Sequence, residues 1–118
     1  ATIMATLSIN FVLSGAFGDY DNAQLSAAPT LTPTQPVVML AGTATTTPGT
    51  IAYGGVSSPQ AIVIINTHAT VGLKVRVATT ETAQTVPAGN FTVLHSPGNG
   101  VEVEAVSGSV TYVSAIAK

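Results

Sequence analysis

Beyond residue 60 the chain consists of short apolar or alternating stretches separated by clusters of turn formers. Val71, Leu73, Val75 and Val77 alternate with Gly72, Lys74 and Arg76, and Val101, Val103 and Ala105 alternate with Glu102 and Glu104. A period of two sends successive side chains to opposite faces of a strand, so each stretch reads as a strand with one dry and one wet face. Between the stretches stand Asn66-Thr67-His68-Ala69, Val86-Pro87-Ala88-Gly89-Asn90, Ser96-Pro97-Gly98-Asn99-Gly100 and Ser107-Gly108. Strands recurring about every 8 to 12 residues, with turn chemistry between them and no stripe at 3.6 residues, leave a sandwich or a barrel. The fold class is therefore all-β: an antiparallel β-sandwich of roughly eight or nine strands. It is jelly-roll-like or Ig-like, and periodicity does not reveal strand order, so both topologies stay open.

Local pattern assigns the pieces. Ala61 to Ile65 is an apolar run that reads as fully buried and as forming a hairpin with the alternating stretch after it. Ser107-Gly108 reads as the tight turn of a second hairpin, leading into a final strand from Val110 to Ala117. Upstream, Val37 to Leu40 reads as an apolar strand, residues 42–49 as a turn-rich stretch, and Ile51 to Tyr53 as a brief strand.

The first 36 residues differ. Ile3, Ala5, Leu7, Ile9, Phe11 and Leu13 share one parity and Thr6, Ser8 and Asn10 the other, which predicts one long strand over residues 1–14. Met4 and Val12 interrupt the polar parity, as residues that contact a neighbouring chain would. From Gly15 to Pro36 the alternation is read as lost. Pro29, Pro33 and Pro36 fall within eight residues, which excludes a helix and a central strand and leaves an extended crossing. The organisation expected is one domain over 1–118, with a strand and extended arm over 1–36 and a compact sandwich over 37–118. Arms of this kind reach across to neighbouring subunits because their backbone has few internal contacts to lose. The subunit-contact candidates are Met4, Phe11, Val12, Phe17, Tyr20 and Leu31.

Charge narrows the partners. Only 7% of residues are Asp, Glu, Lys or Arg, against about 25% in an ordinary soluble domain, while 46% are hydrophobic and the net charge is -2. Thr, Ser, Ala, Gly, Asn and Gln must cover the outside. Such a surface suits packing against copies of itself or a larger assembly, because burying it desolvates little charge. Three basic residues cannot neutralise many phosphates, which disfavours nucleic acid. No apolar run approaches the roughly 20 residues that span a bilayer, so a soluble chain with no membrane partner is expected. Cysteine is absent, and no signal peptide is visible, although a chain whose signal had been removed would read the same.

Few residues offer chemistry. No Gly-x-Ser-x-Gly elbow, phosphate loop or dinucleotide fingerprint occurs. His68 reads as a solvated turn residue and His95 as a strand end capping a turn. Asp19, Asp21 and Asn22 form the one acidic cluster in a loop; hard oxygen donors so close can hold calcium, but the spacing is not that of an EF-hand and Asx-turn chemistry explains them. Glu102 and Glu104 stand about 7 Å apart on one strand face, as i and i+2 residues do, and Lys74 and Arg76 share another. Paired carboxylates serve glycoside hydrolysis only when they flank a cleft. Pairing across strands or between subunits, or plain solvation, accounts for these four. The expectation is no enzyme and no cofactor.

The run Ala61-Ile62-Val63-Ile64-Ile65-Asn66-Thr67, the alternating Val71 to Val77, the Val86-Pro87-Ala88-Gly89-Asn90-Phe91 turn, Val101 to Ala105 and the closing Ser107-Gly108-Ser109-Val110-Thr111-Tyr112-Val113 together resemble the small β-sandwich structural proteins of tailed bacteriophages. The likeness covers about half the chain and lies in pattern. It implies a capsid decoration protein or a head or tail accessory protein, located in the virion, with no catalytic residues to carry over. A second reading shares the sandwich: a carbohydrate-binding, adhesin or pilus-type module at the cell surface or outside it, in which an exposed strand complements a neighbour's sheet.

Overall fold

The computed structural model of the chain describes residues 37–78 and 81–118 in full and, within residues 1–36, the backbone of four strand segments. These are β1 (Leu7–Ser8), β2 (Phe11–Phe17), β3 (Tyr20–Ala27) and β4 (Thr30–Leu31). Then follow β5 (Val38–Thr45), β6 (Gly49–Thr50), β7 (Ala61–Asn66), β8 (Leu73–Arg76), β9 (Gln84–Val86), β10 (Phe91–His95), β11 (Glu102–Ala105) and β12 (Ser109–Ala117).

The last eight strands make two four-stranded antiparallel sheets, in the spatial orders β10-β7-β12-β5 and β6-β11-β8-β9. The pairings nest. β5 lies beside β12, β6 beside β11, β7 beside β10 and β8 beside β9, so the first strand of the eight meets the last and the middle two meet each other. That winding is a jelly roll, which selects one of the two topologies left open by the alternation.

Nesting corrects two expected hairpins. β7 and β8 lie in different sheets, and so do β11 and β12, so the turns at residues 67–72 and 106–108 carry the chain across the sandwich. Turn chemistry signals a reversal; which sheet receives the next strand depends on partners remote in sequence. β5 is also longer than expected and runs through Gly42 to Thr45. Its threonines are β-branched and suit a strand, and Tyr112, directly across the ladder, covers Gly42 so closely that a Cβ there would stand 2.6 Å from the phenol ring. Residues 51–53 are not a strand; the short β6 precedes them, and Ile51 N–H continues its ladder by bonding to Val101 O at 3.0 Å.

The arm is corrected too. The stretch read as a featureless connection contains β3, which pairs with β2 as an antiparallel hairpin, Phe11 opposite Ala27 and Leu13 opposite Leu25, with a register shift between Gly15 and Phe17. A period-two alternation was present there, Ala23, Leu25 and Ala27 against Asn22, Gln24 and Ser26, overshadowed by the prolines that follow. The two-residue β1 and β4 pair with each other, Leu7 opposite Leu31.

The core lies between the sheets. Ile62 and Ile64 of β7 and Val110 and Ile116 of β12 face Leu73 and Val75 of β8 and Val103 and Ala105 of β11. Each Ile, Leu or Val side chain among these, removed from water, contributes roughly 1.5 to 3 kcal/mol. Asn66 is fully buried among them. Its Nδ2 donates to Val71 O at 2.9 Å and Val86 O at 3.0 Å, and its Oδ1 accepts from His68 N at 2.9 Å. Main-chain bonds from Asn66 N to Asn90 O and from Gly89 N to Asn66 O complete the knot. One asparagine thereby ties β7 to the turns on either side of β8 and β9. The turn at residues 87–90 is closed by Asn90 N–H to Pro87 O, and Gly89 takes φ +74°, as the third position of a type II turn requires.

Candidate functional site

The register of the first sheet places its outward residues in ranks. Ala41, Val113, Ile65 and Phe91 stand side by side across all four strands; Met39, Ala115, Val63 and Val93 form the next rank. Beyond them Ala117, Ala61 and His95 align at one end, and Thr43 and Thr111 at the other, where the Thr67 hydroxyl reaches Thr111 Oγ1 at 3.0 Å. No Asp, Glu, Lys or Arg stands in any of these ranks. Met39 is 68% exposed, Phe91 49% and Ile65 39%. Within these ranks Ala61, Val63 and Ala117 are buried and Val93, Val113 and Ala115 half-buried, so the exposed apolar residues of the face are Met39, Ala41, Ile65 and Phe91. Isolated exposed hydrophobics are ordinary, whereas these share one uncharged sheet face.

This patch escapes a reading of the sequence for a definite reason. Ile65 belongs to an unbroken apolar run and was expected to be buried with the rest; in the structure residues 61–64 are buried and Ile65 surfaces. Met39 and Phe91 looked like ordinary strand residues. Both parities of the run are covered from Ala61 to Ile64, and on the outward parity cover ends at Ile65, which an unbroken apolar run gives no means of seeing.

The outer face of the second sheet is its opposite in chemistry. Glu102 stands across from Arg76, and Glu104 across from Lys74. Arg76 Nη2 meets Glu104 Oε1 at 3.2 Å, Arg76 Nε meets Glu102 Oε1 at 3.8 Å, and Lys74 Nζ meets Glu104 Oε2 at 3.4 Å. Four of the chain's eight charged side chains thus collect in one compensated cluster. The side chains of Arg76, Glu102 and Glu104 are more than four-fifths covered, and Lys74 remains 40% exposed. Of the readings open for these four, pairing between strands of one chain is what the structure holds. The carboxylates are occupied by cations on a sheet face and do not flank a cleft.

The remaining candidates do not converge. His68 is more than a solvated turn residue: it is half-buried, and its Nδ1 accepts from Thr70 N at 3.1 Å and Val71 N at 3.0 Å, which holds the crossing from β7 to β8. His95 ends β10 opposite Ala61, at the far end of β7 from His68. Tyr53 Oη donates to Gly98 O at 3.0 Å and accepts from Val101 N at 3.2 Å, stapling two loops. Burial raises its pKa above the usual 10.0, an effect the Val101 N–H partly offsets, and burial raises that of Tyr112 likewise. Beside Tyr112, β5 and β6 border a hollow of about 110 Å³, well below the roughly 300 to 1,000 Å³ of ligand pockets.

Among the arm candidates, Met4 and Asp19 lie outside the described residues. Phe11, Val12 and Phe17 fall on β2, Tyr20 and Asp21 on β3, and Leu31 on β4. Among the described residues, no group of three or more His, Asp or Glu side chains is placed to hold a metal ion, and no helix is long and apolar enough to cross a membrane. Compared with known proteins, the chain matches no protein-family model, no curated protein and no solved structure.

Proposed function

We propose that the chain is a structural subunit of a large particle, a virion protein of the decoration or head and tail accessory kind, which stabilises an assembly through contacts with copies of itself and neighbouring structural proteins. The observation that supports this is the uncharged outer face of the β10-β7-β12-β5 sheet, with Met39, Ile65 and Phe91 exposed on it. Covering such a face removes apolar area from water at about 25 cal/mol per Å² and strips hydration from no charge. The jelly roll by itself carries no function, since one sheet order serves many activities. In this reading contact area is the activity, and neither catalysis nor a cofactor is involved.

The adhesin reading would draw on aromatic side chains aligned on one sheet face. Among the described residues, Phe91 stands alone on the uncharged face, while Tyr53 staples loops and Tyr112 covers Gly42 from within. No observation favours it over assembly.

The test is sedimentation of the chain across a wide concentration range, followed by electron microscopy of whatever sediments. Association into regular oligomers or co-sedimentation with particles is the expected result. A species that stays at the 11.8 kDa of the single chain at every concentration would overturn the proposal.

A further inference from the structure

Sheet edges expose unpaired backbone N–H and C=O groups, and natural proteins usually blunt them with brevity, charge or proline. Three of the four edges of this sandwich are short: β6 has two residues, β9 three and β10 five. The fourth is β5. It runs for eight residues, pairs among the described residues only with β12, and contains no charge and no proline. Every second residue on it, Met39, Ala41, Thr43 and Thr45, is exposed.

The arm presents the complementary problem. β2 and β3 pair only with each other among the described residues. A two-stranded hairpin alone in water is marginal at best, and it becomes stable when a third strand joins or a sheet covers it. Its two edges are unequal: β3 carries Asp21 next to its first residue, whereas β2 has neither charge nor proline. β2 is seven residues long, near the length of β5, and offers Phe11 to Gly15 as regular ladder before its register shift. Ten residues separate β3 from β5 and include Pro29, Pro33 and Pro36. These ten residues, β4 among them, span at most about 33 Å at the roughly 3.3 Å per residue of an extended chain, which sets the furthest the hairpin can lie from the start of β5.

We infer that β2 of one copy adds as a fifth strand to the β5 edge of a second copy, extending the uncharged sheet from one subunit into the next. Main-chain hydrogen bonds would carry the affinity, as in other strand additions. Because donor and acceptor lie on different parts of the chain, the contact is head-to-tail: it builds rings or continuous arrays, not isolated pairs. The inference rests on the assembly reading above and names the contact that reading leaves unassigned.

Amide hydrogen exchange on the whole chain, above and below its association concentration, tests it. In β5 alternate amides point away from β12, so these should be protected in the associated protein and lose protection on dilution. Two variants, Leu13→Pro in the donor strand and Ala41→Lys on the acceptor edge, should each lose that protection and the association together, while β7 and β12 amides stay slow and report an intact sandwich. Rapid exchange of the outward β5 amides in associated native chain would overturn the inference and leave the assembly reading standing. Protection that persists in a sedimenting monomer would place the arm on its own edge and overturn both. A monomer with rapid exchange at that edge would overturn both as well.

Discussion

The two outward faces of this sandwich are built on the same plan and carry opposite chemistry. One holds Phe91, Ile65, Val113 and Ala41 in register with Met39, Ala115, Val63 and Val93 beside them. The other holds Lys74, Arg76, Glu102 and Glu104 in mutual ion pairs. In a chain with so little charge the placement of half of it on one face leaves the other face without the electrostatic hydration that keeps surfaces apart. The lesson is that low charge alone does not locate a contact surface. Segregation of that charge does.

The sharpest way to break the contrast is to charge the bare face. Ile65→Lys with Phe91→Lys is expected to abolish association outright while shifting the unfolding midpoint little, because both side chains are well exposed. Sedimentation and thermal unfolding on the same sample check it; unchanged association would remove this face from any interface. Next in size is a change that touches neither face. Asn66→Ala strands the buried carbonyl of Val86, the partly buried carbonyl of Val71 and the His68 N–H, and should cost about 3 kcal/mol of unfolding free energy. Association per folded molecule should be unaltered, so a matching loss of association would show that general stability, not the face, governs assembly.

A third variant sharpens the charged side. Arg76→Met leaves Glu102 and Glu104, both largely covered, without the guanidinium between them. A loss of about 1 to 2 kcal/mol is expected in denaturant titration, against about 0.5 kcal/mol or less for Lys74→Ala, whose side chain is 40% exposed. Equal losses would mean that the cluster behaves as solvated surface charge. The smallest effect separates the interior from both faces. Burial raises the pKa of the Tyr112 phenol above 10.0, so the folded state favours the neutral form. The stability linked to it is fully present below the unfolded value and is lost as pH rises through the higher folded value. The midpoint of native chain should therefore fall at alkaline pH more steeply than that of Tyr112→Phe, and parallel curves would remove Tyr112 from the account.

Much of this architecture was legible in the chain as written. The strands β8 and β11 follow from alternation, β10 and β12 from the turns that precede them, and the turn at Pro87 to Asn90 from residue types that permit a positive φ at Gly89. Pairing of Lys74 and Arg76 with Glu102 and Glu104 was among the options their spacing raised. Other features were hidden. β3 was lost behind the prolines, β5 was cut short at Gly42 because a glycine reads as a break, and Ile65 was assigned to the core because an unbroken apolar run has no visible parity. The contact candidates chosen from the sequence lie in the arm, whereas the exposed patch lies on the sheet.

The sequence by itself determined that this chain would be all strands and turns, with two-faced strands and a surface nearly free of charge, because alternation, turn propensity and composition are local properties written residue by residue. Only the tertiary structure decided that β5 closes on β12 and β7 on β10, that consecutive strands cross between sheets, and that the charges gather on one face while the apolar ranks align on the other. Those choices depend on pairings between residues as far apart as Val38 and Ile116. Such partners are selected by which buried faces fit together, and a fit between two surfaces is a property of neither stretch alone.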